Sequence, residues 1–145
     1  MEMENQDMGK VWSDVELTNS VDDDRRQDGS LAADKVRKTT VRALVDSGAT
    51  MLVLPLESIR ALGLKLTRTA RSRFADGKVH VYGPIKVKVF QRTMQTEALE
   101  GAPGMPPLLG QIPLEALDLL IDSKNQRLIL NPESPDPEMA LVDVF

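Results

Sequence analysis

Ala43-Leu44-Val45-Asp46-Ser47-Gly48-Ala49-Thr50 lies about a third of the way along the chain and reads as an apolar strand running into a turn. Upstream, Thr39 to Val45 is β-branched and apolar, the composition of a buried strand. Asp and Ser bond their own backbone in turns, and Gly supplies conformations that other residues resist. Downstream, Met51-Leu52-Val53-Leu54 predicts a second buried strand. The turn therefore lies between two buried strands and not at a wet loop tip. A carboxylate in that position is costly to desolvate unless it is hydrogen-bonded or shares a proton. Asp46 is the first candidate for chemistry.

Working outward, the chain reads as many short strands punctuated by Gly and Pro. Val11 to Thr18 alternates with period two and predicts a strand. Asn19 to Asp34 is polar and charged and reads as a flexible loop, with the Asp22-Asp23-Asp24 triplet as solvated surface. Pro55 opens a short helix through Leu62, which Gly63 stops. Two strands flank the turn signal Ala75-Asp76-Gly77-Lys78, and the second continues as Ile85-Lys86-Val87-Lys88-Val89 with one face buried and one wet. Glu100 to Pro107 is a Gly/Pro-rich loop entering Leu108-Leu109-Gly110, followed by a short helix around Leu114 to Leu117. Leu119 to Asp122 and Arg127 to Leu130 form a hairpin about Ser123-Lys124-Asn125-Gln126. These signals predict an all-β, small closed barrel-like fold with one or two short helices. The expected organisation is a leader over 1–7, one domain over 8–131 and a Pro-rich tail over 132–145. The apolar end of that tail, Leu141 to Phe145, offers an interface strand.

Composition removes several classes of function. With 145 residues, the chain has room for one core. It holds no cysteine, which excludes a thiol nucleophile and a Cys-ligated zinc. Its one histidine, His80, cannot supply a Ser-His-Asp triad or a multi-His metal site within one chain, and it reads as a surface residue of a strand. No cofactor and no metal are expected. No run approaches the ~18 apolar residues of a membrane helix, and the acidic N-terminus lacks the apolar segment of a secretory signal. The expected location is the cytoplasm. The net charge of −4 hides an asymmetry: from Arg60 to Arg92 there are nine Lys/Arg and only Asp76. Without an aromatic stacking platform, this basic third reads as wet strand faces and not as a nucleic-acid site.

The ordered set of motifs resembles the retropepsins, the retroviral-type aspartic peptidases, over roughly residues 36–130. Leu44-Val45-Asp46-Ser47-Gly48-Ala49 is similar to the family's active-site motif, with Ser in the place of the commoner Thr. Phe74-Ala75-Asp76-Gly77-Lys78 falls where the family's flap hairpin closes over substrate, although its tip is not glycine-rich. Leu108-Leu109-Gly110 resembles the second marker, two apolar residues and a Gly leading into a helix. The spacing from Gly110 to Ile121-Asp122 also resembles the cellular retropepsin-like domains of ubiquitin-linked shuttle proteins.

The resemblance implies an aspartic endopeptidase. Asp46, Ser47 and Gly48 would be its catalytic turn, and Ala49, Phe74, Ala75, Asp76, Gly77, Lys78 and Leu109 would line the substrate cleft. Two facing carboxylates would share a proton and activate a water. The chain carries one such turn; in its nearest rival, Asp122-Ser123, Lys124 stands where Gly is required. A peptidase built from this chain is therefore a symmetric homodimer, with a polypeptide as substrate and neither nucleic acid nor membrane as partner. Two other readings use the same residues. One is a catalytically weak peptide-binding or dimerisation module of the same fold, and the other is a plain β-barrel interaction domain in which Asp-Ser-Gly is only a turn.

Overall fold

The computed structural model describes residues 9–71 and 77–141. Six strands close a barrel: β1 (Trp12–Asn19), β2 (Lys38–Val45), β7 (Leu108–Leu109), β3 (Leu52–Leu54), β6 (Arg92–Glu100) and β5 (Lys78–Val89), which returns to β1. A further strand, β4 (Lys65–Arg71), extends the sheet beyond β5. The remaining pair, β8 (Leu119–Asp122) and β9 (Arg127–Leu130), forms a separate antiparallel hairpin about the expected turn. The all-β, barrel-like expectation holds.

Alternation of side chains along the strands places the core. Val15 and Leu17 of β1 and Ile85, Val87 and Val89 of β5 point inward and are almost wholly buried. Ala43 and Val45 of β2, Leu52 and Leu54 of β3, and Leu109 of β7 meet them inside. The wet partners face out as expected, with Lys88 exposed and Lys86 half-buried. Two short helices occur where Pro and Gly signals placed them: α2 (Leu56–Ala61) and α3 (Gln111–Ala116). Their residues Ile59 and Leu114 cover the barrel's apolar surface. Trp12 is half-buried on the outer face beside Phe90 and Leu128.

Two elements depart from expectation. The segment Asn19–Asp34, expected as a flexible loop, contains a third helix, α1 (Ser20–Gln27). No apolar periodicity announces it; charge and capping build it. The Asn19 side chain caps the helix by accepting the Asp22 amide at 3.0 Å. Asp22 and Asp23 occupy its first turn and Arg25 and Arg26 its last, so the side chains oppose the helix dipole at both ends. Asp22 is buried and receives two bonds from the Arg37 guanidinium, at 2.8 and 3.0 Å. The Asp triplet is thus only partly solvated surface. The second departure is β6, whose polar sequence Arg92-Thr93-Met94-Gln95-Thr96-Glu97 carries no strand signal. It is a strand because β5 and β3 flank it and take up its backbone groups. Among the described residues no helix is long and apolar enough to cross a membrane.

Candidate active site

Three pieces of chain converge on the Asp46 turn. β2 reaches it between two neighbours: the Val45 amide donates to the Val11 carbonyl at 2.7 Å, and the Leu44 amide donates to Pro107 at 2.9 Å. The Asp46 amide itself donates to the Leu109 carbonyl at 3.0 Å, so the backbone of the carboxylate residue is anchored on the parallel strand β7. Within the turn, the Gly48 amide donates to Asp46 Oδ1 at 2.9 Å and the Ala49 amide to the Asp46 carbonyl at 3.1 Å. One carboxylate oxygen is therefore held by the turn's own backbone, as Asp-x-Gly chemistry predicts.

The far side of the turn is stitched to α3. The Gln111 amide donates to the Ala49 carbonyl at 2.7 Å and the Ile112 amide to the Thr50 carbonyl at 2.8 Å. Amides at the start of α3, which have no partner within the helix, are satisfied by the Asp46 turn. Gly110 makes this approach feasible. A β-carbon there would collide with the Met51 carbonyl and lie 2.7 Å from that of Ala49, both immovable backbone atoms. The glycine of Leu108-Leu109-Gly110 is required by close approach and not by a left-handed backbone, since its φ is −91°.

The exposure of the turn suits chemistry. Asp46 and Ala49 are half-buried, and Ser47 and Gly48 are exposed. Ser47 sits at one end of a surface groove walled by Leu114 of α3 and Leu119 of β8. Leu109, expected to line the substrate cleft, has its side chain wholly inside the barrel. It serves the site through its carbonyl, which holds the Asp46 amide. The hairpin expected as a flap is present as β4 and β5, paired from Lys65↔Gly83 to Arg71↔Lys78. Gly77 and Lys78 are exposed at its end, and no hydrogen bond or ion pair among the described residues joins them to the Asp46 turn. Phe74, Ala75 and Asp76 lie outside the described residues.

The rival carboxylate is accounted for by structure. Asp122 Oδ2 accepts from Asn125 Nδ2 at 2.8 Å and from Arg127 Nε at 3.2 Å. These bonds, Asn125's foremost, hold its carboxyl below the usual range and close the β8–β9 turn. His80 is on the surface as expected, with its Nδ1 3.7 Å from Glu100. Among the described residues no group of His, Asp and Glu is arranged to hold a metal ion.

A barrel with an anchored Asp-Ser-Gly turn bonded to a Gly-led helix is a retropepsin-like fold. A family model described as aspartyl protease matches residues 33–93, which include that turn and both hairpin strands. Among solved structures, the retroviral protease-like domain of Ddi1 from Leishmania major is similar over 84% of this chain and 90% of that one. Its TM-score is 0.52 and its identity 16%, a likeness of fold. A retropepsin-like aspartic protease from Rickettsia conorii is 27% identical over 58% of this chain and 76% of its own, with a TM-score of 0.41. No curated protein sequence matches the chain. In its family match and in its fold, the chain resembles the retropepsin-like aspartic peptidases.

Proposed function

We propose that this protein is an aspartic endopeptidase that acts as a homodimer, with Asp46 of each subunit facing its twin across a two-fold axis. The observation that supports this most directly is the fixing of Asp46. Its backbone is bonded to Leu109 and its Oδ1 to Gly48, while the residue stays half-open to solvent. A carboxylate held this firmly is ready to meet a second one without reorganisation.

Two carboxylates brought face to face do not both ionise, so the pair shares one proton and titrates as a unit. The charged member takes a proton from a water, whose oxygen attacks the scissile amide carbonyl. The protonated member donates to that carbonyl oxygen as the diol forms. Collapse of the diol breaks the C–N bond, and the leaving nitrogen takes up a proton from the dyad. Ser47 would bond across the axis and lock the two turns, and Gly48 lets backbone pass close to the dyad. The extended polypeptide substrate would lie between the β4–β5 hairpin and the turn, held by main-chain hydrogen bonds.

The test is a diverse peptide library incubated with wild type and with Asp46→Asn from about pH 3.5 to about pH 7.5, with products read by mass spectrometry. Cleavage by wild type alone, strongest at acid to near-neutral pH, is expected. Silence from both proteins, with a dimer seen in solution, would replace this reading with the peptide-binding module.

A further inference from the structure

β4 is the open edge of the sheet, and it has an uncommon surface. Among the described residues it pairs with β5 alone, and six of its seven residues are exposed. The sequence Lys65-Leu66-Thr67-Arg68-Thr69-Ala70-Arg71 holds three cations and no acid, and Lys78 adds a fourth across the hairpin. Leu66 is 54% exposed, an apolar side chain standing among them. An edge of this kind presents unpaired backbone N–H and C=O groups that pair readily with another strand.

The nearby acids leave most of this charge uncompensated. Glu97 of β6 reaches across β5 where Gly83 has no side chain; a β-carbon there would sit 3.4 Å from the Glu97 Cα. Its carboxylate accepts from Thr67 Oγ1 at 2.7 Å and from Arg68 at 3.3 Å. Lys65, Arg71 and Lys78 have no ion-pair partner among the described residues. Elsewhere in the basic third Lys86 is paired with Asp23 and Arg92 is buried, while Arg60 and Lys88 are exposed with no ion-pair partner among the described residues. Three of the segment's exposed, unpaired cations among the described residues, Lys65, Arg71 and Lys78, lie on β4 and the stretch of β5 paired with it.

We propose that the β4 edge is a docking strand for an extended acidic polypeptide segment, which adds antiparallel or parallel to β4 as an eighth strand of the sheet. Backbone hydrogen bonds supply the attachment, and the charges of Lys65, Arg71 and Lys78, Lys65 on one face and Arg71 and Lys78 on the other, favour acidic side chains. The same charges reject a second copy's β4, because like charges directly opposite one another destabilise a strand pair. The bulge between Leu66 and Arg68 interrupts the ladder, so the longest regular stretch of the described edge is Arg68–Arg71. The occupant is a polypeptide and not a nucleic acid, because the strand offers an edge of backbone donors and acceptors without an aromatic side chain for bases to stack on. Docking there is separate from cleavage at Asp46, so it stands or falls independently of the proposed peptidase.

The experiment uses the full chain carrying Asp46→Asn, so that no peptide is cut. A fluorescein-labelled peptide of about eight residues alternating Glu and Val is titrated and followed by anisotropy, with amide hydrogen exchange read on residues 65–71. Expected are saturable binding, slowed exchange within 65–71, and a loss of affinity of about tenfold or more in Lys65→Glu/Arg71→Glu. That variant, checked for folding by circular dichroism, is expected to bind the matching Lys-Val peptide instead. A Glu-Val peptide N-methylated at every backbone nitrogen keeps the charge but has no N–H to donate on either edge, and it is expected not to bind. Equal binding of the methylated peptide, protection at another strand with none at 65–71, or tighter binding of a single-stranded oligonucleotide would each overturn the proposal.

Discussion

Two single residues hold the neighbourhood of the site together, and each makes a sharp prediction. Gly110 lies where the Asp46 turn meets the start of α3, in contact with backbone that has no room to retreat. Gly110→Ala is expected to destabilise the fold by about 2–4 kcal/mol, because the collision is with carbonyl groups and not with a flexible side chain. Urea unfolding checks this; an effect within the scatter of a surface mutation would mean that the crossing is loose. Arg92 is 1% exposed, yet every bond it makes is to an uncharged acceptor. Its guanidinium donates to the Leu117 carbonyl at 2.8 Å and the Asp118 carbonyl at 3.1 Å at the end of α3. It also donates to Asp136 at 2.6 and 3.1 Å and to the Ser134 carbonyl. It ties α3 to the chain beyond β9 and places a positive charge where the helix dipole favours one. Arg92→Met takes this donor from the buried Leu117 and Ser134 carbonyls, and about 3 kcal/mol of stability is expected to be lost in the same assay. The sequence showed both residues but explained only one. Gly110 stood in a motif with a neighbour order, whereas Arg92 was counted as one more charge of a basic stretch. Composition does not reveal which cation is inside.

At the scale of elements, α1 shows what periodicity cannot detect. An eight-residue helix with almost no apolar face is held by ions: Lys86 of β5 reaches Asp23 at 2.6 Å and Asp24 at 3.4 Å, and Arg26 bonds Asp23 at 2.9 Å. The hydrogen bond from Lys86, then that from Arg26, pulls the Asp23 carboxyl from 3.8 down to about 2 against the opposing effect of burial. Asp22 moves in the same direction through its bond to Arg37. A carboxyl that is more acidic folded than unfolded contributes stability that is complete above about pH 4 and is lost as pH falls from about 4 through about 2. For Asp23 the contribution is up to about 2 kcal/mol, since its side chain is only 17% exposed. Asp23→Asn is therefore expected to unfold more easily at neutral pH and to show a flatter stability profile between pH ~2 and ~4, as measured by denaturant titration at each pH. An unchanged slope would mean that the Lys86 contact is loose in solution. The strands β1, β2, β5, β8 and β9 were legible because each alternates or ends at Gly, Pro or Asn. β6 and α1 were not, because long-range partners stabilise them: two flanking strands in one case and a lysine some sixty residues away in the other.

For the whole molecule, the decisive number is one. The barrel closes on itself within a single chain, and the function proposed for it needs two aspartates. Yet the chain has a single Asp-Ser-Gly turn, and its rival Asp122 is committed to closing a hairpin. Half of the proposed dyad must come from elsewhere, and a second copy is the source that symmetry provides. The proposal has a quantitative signature that a monomeric enzyme cannot reproduce. If each active site takes one Asp46 from each subunit, Asp46→Asn acts on its wild-type partner as well as on itself. Wild type mixed with an equal amount of Asp46→Asn, with time for subunits to exchange, is expected to retain about a quarter of its activity per dimer formed, because only wild-type pairs carry two carboxylates. Varying the ratio should trace the square of the wild-type fraction. A line proportional to that fraction would show instead that each chain works alone, and the single Asp46 would then need a catalytic partner from within its own chain.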